Sequence, residues 1–164
     1  MDRLSLHQYA IALAWVAATR SEDPYTRVGC VALSEQGNVL ATAYNGLKPK
    51  ATFGPEFWNN RESRLPFMVH AEMNLVSLTK RNEVHTVAIN ILPCPTCAAF
   101  LATHGVQQVV YSEVYHRDKG TVGLTVLREY GVEIHHLPYY RVRPVFLDMD
   151  EAHRKVRSEQ RTAA

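Results

Sequence analysis

Leu4, Ile11, Ala14, Trp15 and Ala18 recur at helical spacing over residues 4–20, and Ser21-Glu22-Asp23-Pro24 closes the run with turn chemistry. The pattern predicts an amphipathic first helix with Trp15 as a core anchor. Two short runs rich in β-branched residues, 28–33 and 39–44, flank Ser34-Glu35-Gln36-Gly37-Asn38 and predict a hairpin. Residues 45–66 carry Gly46, Pro49, Gly54, Pro55 and Pro66 with little periodicity. They predict a long loop with a helical turn around Phe57 and Trp58, and a loop of that length is more often functional than idle. A helical pattern resumes from His70 to about Lys80. Beyond it the pattern predicts a buried strand at 85–92, a helix at 94–104 stopped by Gly105 and a strand at 108–111. A helix at 120–130 stopped by Gly131 and a strand at 132–137 complete the order α-β-β-α-β-α-β-α-β. That order predicts an α/β fold, a three-layer α-β-α domain with a mixed sheet of about five strands, opened by an antiparallel hairpin and continued by helical crossovers. The domain is expected over residues 1–150, followed by a polar tail at 151–164 that is a frayed or solvated helix.

Composition agrees with one domain. The chain has 164 residues, 46% hydrophobic and 21% charged, enough apolar material for a real core. No apolar run approaches the roughly 18 residues of a membrane span. The start, Met1-Asp2-Arg3-Leu4, lacks the pattern of a secretory signal, so a soluble, cytoplasmic protein is expected. The net charge of +2 sits in the tail: residues 151–164 hold four basic and two acidic side chains, which leaves 14 of each sign elsewhere. Affinity for nucleic acid normally comes from a basic stripe over the folded body, and this balance argues against such a partner. A small phosphorylated substrate needs only a cation or two. Lys48, Lys50 and Lys119 read as solvated loop charges.

Three cysteines, Cys30, Cys94 and Cys97, are an odd number and argue against a disulfide framework. Cys30, in a strand pattern, reads as a small buried hydrophobe. Cys94 and Cys97 are different, because they stand in Pro93-Cys94-Pro95-Thr96-Cys97 at the start of a predicted helix, with His70-Ala71-Glu72 at the start of the preceding one. Zinc favours thiolate and imidazole, and catalytic zinc sites commonly use three protein ligands, leaving one position open. Cys94 and Cys97 are neighbours on one helix face, Pro95 suits a first helical turn, and a helix N-terminus favours the thiolate. His70 and Glu72 can both face a metal only where a helix is just beginning. A carboxylate that stands beside the metal without ligating it can take a proton from water and deliver it to a reacting nitrogen. H-x-E followed by P-C-x-x-C is the known signature of zinc nucleobase deaminases. A thioredoxin-like redox pair would leave His70 and Glu72 without a role. A structural zinc site wants a fourth ligand, for which His85 and His104 are the nearest candidates, although both read as ordinary strand or helix residues. His7, His116, His135, His136 and His153 have no ligand spacing to the site.

Beyond that signature, residues 21–31 (Ser-Glu-Asp-Pro-Tyr-Thr-Arg-Val-Gly-Cys-Val), Ala43-Tyr44-Asn45-Gly46, His70-Ala71-Glu72-Met73-Asn74 and Pro93-Cys94-Pro95-Thr96-Cys97-Ala98 resemble the deoxycytidylate (dCMP) deaminase family. The likeness runs from about residue 4 to 150, where Phe146-Leu147-Asp148-Met149-Asp150 resembles a terminal strand of that family. The resemblance implies a cytidine-deaminase-like domain that hydrolyses dCMP to dUMP and ammonia, supplying dUMP for thymidylate synthesis. It implies one zinc per chain on His70, Cys94 and Cys97, with zinc activating the water that attacks C4. Glu72 would be the proton carrier, Asn45 would hydrogen-bond the sugar, and the Ala71 N–H would hold the base carbonyl. Arg27, next to Thr26, is the first choice for a phosphate clamp, and Tyr115 for stacking or a phosphate contact. The family's enzymes are commonly homo-oligomers. Regulated members carry a Gly-rich stretch after Tyr-Asn-Gly. Here it reads Leu47-Lys48-Pro49-Lys50-Ala51, without the glycine, which counts against dCTP or dTTP as effectors. Residues 47–69 hold no Cys or His for the second zinc of some viral members. Rival substrates are a 5-modified dCMP, a free cytidine nucleoside and a tRNA adenosine; a zinc module used only for assembly is the rival of another kind, and it has no need of Glu72.

Overall fold

The computed structural model describes residues 3–115 and 122–162. Ser5 opens helix α1 (Leu6–Ala18) with a reciprocal cap: its hydroxyl accepts from the Gln8 N–H at 3.1 Å, and Gln8 Oε1 accepts from the Ser5 N–H at 3.0 Å. Five strands follow along the chain, β1 (Gly29–Leu33), β2 (Val39–Tyr44), β3 (Thr86–Ile91), β4 (Gln108–Glu113) and β5 (Glu133–His136). They form one sheet in the order β2-β1-β3-β4-β5. The β2-β1 and β1-β3 pairs are antiparallel, and β3-β4 and β4-β5 are parallel, so the mixed sheet opened by a hairpin is as expected.

Side chains alternate across this sheet. Cys30, Ala32, Val87, Ile89, Val109 and Tyr111 point to one face, where Leu75 of α4 (Ala71–Ser77), Leu101 of α5 (Pro95–His104) and Leu127 of α6 (Val122–Glu129) meet them. Val31, Leu33, Ala88 and Val110 point to the other, under Ala10, Ile11 and Ala14 of α1 and Val142 and Val145 of α7 (Tyr139–Thr162). Both faces are therefore covered, which is why the middle strands read as continuous apolar runs. Trp15 is half-buried on the α1 face, with its indole N–H on Ser112 Oγ at 3.3 Å. Gly29 lets α1 lie directly on β1, since a Cβ there would run into Ala14 O and Ala18 N. Among the described residues no helix is long and apolar enough to cross a membrane.

Two expectations change. Residues 146–150 are not a terminal strand; they belong to α7, in which Val142, Val145 and Phe146 turn to the core while Leu147 and Met149 are exposed. Spacing by three and four is helical, and it overrides the strand that the resemblance implied. Residues 45–66 are also less irregular than expected. They hold two short helices, α2 (Pro55–Asn59) and α3 (Arg61–Arg64), and a 3-10 turn at Leu65–Phe67 follows. The segment packs on its own aromatics: Phe53 stacks on Phe57 with ring centroids 3.9 Å apart, and Phe67 meets those rings at 5.5 and 5.7 Å. Elements of three to five residues are too short to print a period in the sequence. Gly120, where a helix was expected to start, and Lys119 and His116 lie outside the described residues.

Candidate active site and metal centre

The site forms at the edge of the sheet where β1 begins and β2, β3 and β4 end. Just after β2, Gly46 and Val69 make an isolated antiparallel bridge, Gly46 N–H to Val69 O at 3.0 Å and Val69 N–H to Gly46 O at 2.8 Å. The bridge fixes the next residue, His70, as the N-cap of α4, with extended φ −68 and ψ 150. His70 is thus outside the helix and Glu72 just inside it, which lets two residues that would diverge on a regular helix line one cavity. Asn74, one turn further on, donates from Nδ2 to Tyr44 O at 2.8 Å and ties α4 to the end of β2. On the other side β3 runs out through Leu92 and Pro93 to Cys94, the N-cap of α5, whose Sγ accepts from the Cys97 N–H at 3.5 Å. Pro95 occupies the first turn, where its missing N–H leaves nothing unpaired.

These two helix starts converge. His70 Nδ1 lies 3.7 Å from Cys94 Sγ and 3.4 Å from Cys97 Sγ, and the three ligand atoms lie within 4.8 Å of one another. Zinc bonds of about 2.3 Å to sulfur and about 2.1 Å to nitrogen, at a tetrahedral angle, put N and S about 3.6 Å apart. The donor set and its spacing therefore fit a zinc ion with three protein ligands. Without metal the thiols divide one proton: Cys94 is held down at about 4, chiefly because the Cys97 thiol donates to it, and Cys97 is pushed up by the same contact. His70 is raised, first by its hydrogen bond to Cys94. Glu72 is only 4% exposed, and burial pushes its carboxyl up to about 7. A carboxyl poised near neutrality can both take and give a proton.

A cavity of about 360 Å³ opens over this group, lined by His70, Ala71, Glu72 and Cys94 at one end. Thr26, Asn45 and Tyr115, all candidates from the sequence, line it too. The Asn45 amide is already engaged, with Oδ1 accepting from the Val28 N–H at 2.8 Å and Nδ2 donating to Thr26 O at 2.9 Å. It keeps one N–H and one lone pair for a ligand. Arg27 is exposed, does not line the cavity, and donates from Nε to Asp23 O at 3.3 Å. His104 and His85 bond to Thr79 and Thr86, at 3.0 and 2.9 Å, and neither joins the metal-ligating group. Cys30 is fully buried as expected, and burial pushes its thiol well up.

Sequence reasoning missed four residues here. Arg61, Arg64 and Asp23 line the cavity. Asn90, completely buried in β3, accepts from the Gly29 N–H at 2.9 Å and donates to Arg27 O at 3.0 Å. Asn90 from β3 and Asn45 from just after β2 thereby hold the segment 26–29 from two sides. An asparagine inside Thr86-Val87-Ala88-Ile89-Asn90-Ile91 was the available signal, because a buried amide has to find partners. No comparable signal marked the arginines, which stand in a stretch without periodicity.

A three-layer α/β domain with a His-Cys-Cys group and a buried carboxyl at its sheet edge is a cytidine-deaminase-like domain. The chain belongs to the family defined by the cytidine and deoxycytidylate deaminase zinc-binding region, whose model matches residues 4–113. Human deoxycytidylate deaminase is 26% identical over 80% of this chain and 79% of its own length. The Saccharomyces cerevisiae deoxycytidylate deaminase is 33% identical, over 80% of this chain and 45% of its own. Among solved structures, the dCMP deaminase of cyanophage S-TIM5 in complex with dCMP and dUMP superposes with a TM-score of 0.61 and 25% identity, covering 80% of this chain and 93% of that one. Its apo form superposes at 0.65 with 21% identity over 83% of this chain and 100% of that one, a likeness of fold.

Proposed function

We propose that this protein hydrolyses dCMP to dUMP and ammonia, with one zinc ion per chain on His70, Cys94 and Cys97. The observation that carries the reading is the buried Glu72 carboxyl on the cavity wall, two residues from His70 in a metal-ligating group, in a chain whose relatives are deoxycytidylate deaminases. When bound there, zinc supplies a water acidic enough to react near neutral pH. Glu72 accepts a proton as the water oxygen bonds to C4, and passes it to N3 of the cytosine. It then carries the second proton to the exocyclic amine, the C4–N4 bond breaks, and ammonia leaves. Of the two hydrogens of water, one ends on N3 and one in ammonia.

Ala71 opens α4, so its N–H has no acceptor within the helix and is free to hold the base carbonyl. The remaining N–H and lone pair of Asn45 suit a sugar hydroxyl, and Thr26 and Tyr115 stand on the same wall for the sugar-phosphate end. Lys50 stands at φ 69 in the stretch that lacks the glycine of regulated relatives, and turnover is expected without dCTP.

The test is ammonia release by the zinc-loaded protein on dCMP, deoxycytidine, CMP and 5-methyl-dCMP, each with and without dCTP. Rapid release from dCMP alone is the expected result. Silence on every deoxycytidylate, with zinc bound, overturns the reading.

A further inference from the structure

The core of the domain barely holds residues 47–68. Gly46 and Val69 pair across the base of this segment, so its two ends lie side by side, and the Leu47 N–H donates to Glu22 Oε1 at 2.7 Å. Between those ends α2, α3 and the 3-10 turn pack chiefly on one another, tied by the Phe53, Phe57 and Phe67 rings. Of the 47–68 residues only Arg64 is buried. A segment with adjoining ends, its own packing and almost no share in the core can move as one body at low cost.

Tyr25 is where the far end of the segment meets the domain. Its hydroxyl donates to Asn59 Oδ1 at 3.0 Å, at the end of α2, and its ring lies under the Arg64 guanidinium at 4.6 Å, at the end of α3. Tyr25 is itself well fixed. The buried Asp23 accepts at Oδ1 from the N–H groups of Tyr25 at 2.8 Å and Thr26 at 3.2 Å, and its own N–H donates to Ser21 Oγ at 3.2 Å. One turn thus supplies Glu22 to the base of the segment and Tyr25 to its tip.

The tip is held against a cost. Arg64 Nε and Nη1 are sealed from solvent and have no hydrogen-bond partner among the described residues. An arginine cannot relieve burial by giving up its proton, and the Tyr25 ring covers one face of the guanidinium without meeting its in-plane N–H groups. Water reaches those donors only when the segment lifts, so the charge that Tyr25 grips also favours release. Lifting the tip takes Arg61, Arg64 and Leu65 off the cavity wall, while His70, Glu72 and Cys94 stay at the starts of α4 and α5.

We propose that residues 47–68 are a lid over the cavity, hinged beside the Gly46–Val69 bridge, and that Tyr25 is the positioning residue that latches it. Substrate enters and product leaves when the latch opens. What passes the lid rests on the cytosine-nucleotide reading above; the motion itself rests on the fold.

The experiment is amide hydrogen exchange of the zinc-loaded protein, free and with dUMP, for the wild type, Tyr25→Phe, Asn59→Ala, Tyr25→Ala and Arg64→Met. Amides of residues 53–67 should exchange together and faster than those of β3, and bound dUMP should slow them. Tyr25→Phe and Asn59→Ala each remove the same hydrogen bond, so each should speed that exchange about fivefold, and the double variant no further. Tyr25→Ala also loses the ring under Arg64 and should speed it about 30-fold, with faster dissociation of dUMP. Arg64→Met keeps an unbranched chain against the ring without the charge, so exchange should slow. Faster exchange of the segment in Arg64→Met overturns the proposal, as does exchange in Tyr25→Ala that matches the wild type or rises alike in β3. Bound dUMP that leaves residues 53–67 unslowed overturns it too. Should Tyr25→Ala not fold, Tyr25→Phe and Asn59→Ala, both at exposed positions, decide, and wild-type exchange in both overturns the latch. A wild type that binds no dUMP removes the cytosine-nucleotide reading, a separate failure, and exchange of the free protein still decides the lid.

Discussion

Replacing Glu72 with Gln should make the metal-free protein more stable and the zinc-loaded protein nearly inactive. Burial lifts the carboxyl from 4.5 to about 7, so the folded chain holds that proton more tightly than the unfolded one. The penalty for ionised Glu72 is therefore absent below pH 4.5, grows as pH rises toward 7, and is complete above it. At about 1.36 kcal/mol per pH unit it reaches about 3 kcal/mol. Gln has the same shape and cannot ionise. For a domain of this size about 3 kcal/mol corresponds to a Tm higher by about 6–12 °C at pH 8, and the gain should shrink to about 0.8 kcal/mol, about 2–3 °C, at pH 5. The assay is calorimetric unfolding of the chelator-treated wild type and Glu72→Gln at both pH values. Zinc-loaded Glu72→Gln should keep its metal and lose about 10²- to 10⁴-fold in turnover. An equal Tm difference at pH 5 and pH 8 would refute the burial argument. Wild-type turnover would refute the proton-carrier role, and loss of zinc would make Glu72 part of the metal's ligand set.

Gly29→Ala should lower Tm by about 5 °C or more, because the new methyl meets the α1 backbone; Gly54→Ala, with open space around it, should stay within about 2 °C, and equal effects at the two positions would sink the packing argument. Asn90→Ala strips the buried Gly29 N–H and the part-buried Arg27 O of their partners and should cost about 1–3 kcal/mol by urea denaturation, with a raised KM for dCMP as Thr26 loosens. An unchanged KM would separate the clamp from the substrate. His7 is pulled below the ordinary histidine value, first by burial and then by His135, whose ring centroid is 4.5 Å away, while Gln108 and Glu133 pull the other way. The folded chain thus resists protonating His7, and stability should fall as pH drops below about 6.5. His7→Gln should flatten that limb of a Tm scan from pH 8 to 5, whereas a parallel slope refutes the assignment.

The chemistry was legible where it is local. His70 and Glu72 could be joined to one site from sequence because a helix had to begin between them, and Pro95 marked the second helix start; the N-cap positions of His70 and Cys94 are that reasoning made structural. The central strands were legible because both their faces are buried, as Val87 and Ala88 illustrate on opposite sides of β3. Residues 146–150 misled because the strand there was taken from a resemblance of five residues, Phe146-Leu147-Asp148-Met149-Asp150, which can serve a strand or a helix, and only the packing of Val142 and Val145 against the α1 layer decides. Arg64 was invisible for a different reason. Its burial depends on a Tyr25 ring nearly forty positions away and on a four-residue helix with no period of its own. Asn45 was found, but the backbone groups it already holds are a tertiary fact that no spacing encodes.

His70 and Cys94 each stand one residue ahead of a helix and are 24 positions apart. An ion gripping both closes a ring in the chain, and inside that ring lies β3, the strand at the middle of the sheet. A clasp over a loop of that length takes about 3 kcal/mol of freedom from the unfolded chain, by the arithmetic used for a disulfide. Reactivity and cohesion then share one fastening. On the proposed reading, a chain that never acquires its ion would be idle and, by mass action, would also open more readily across its central strand.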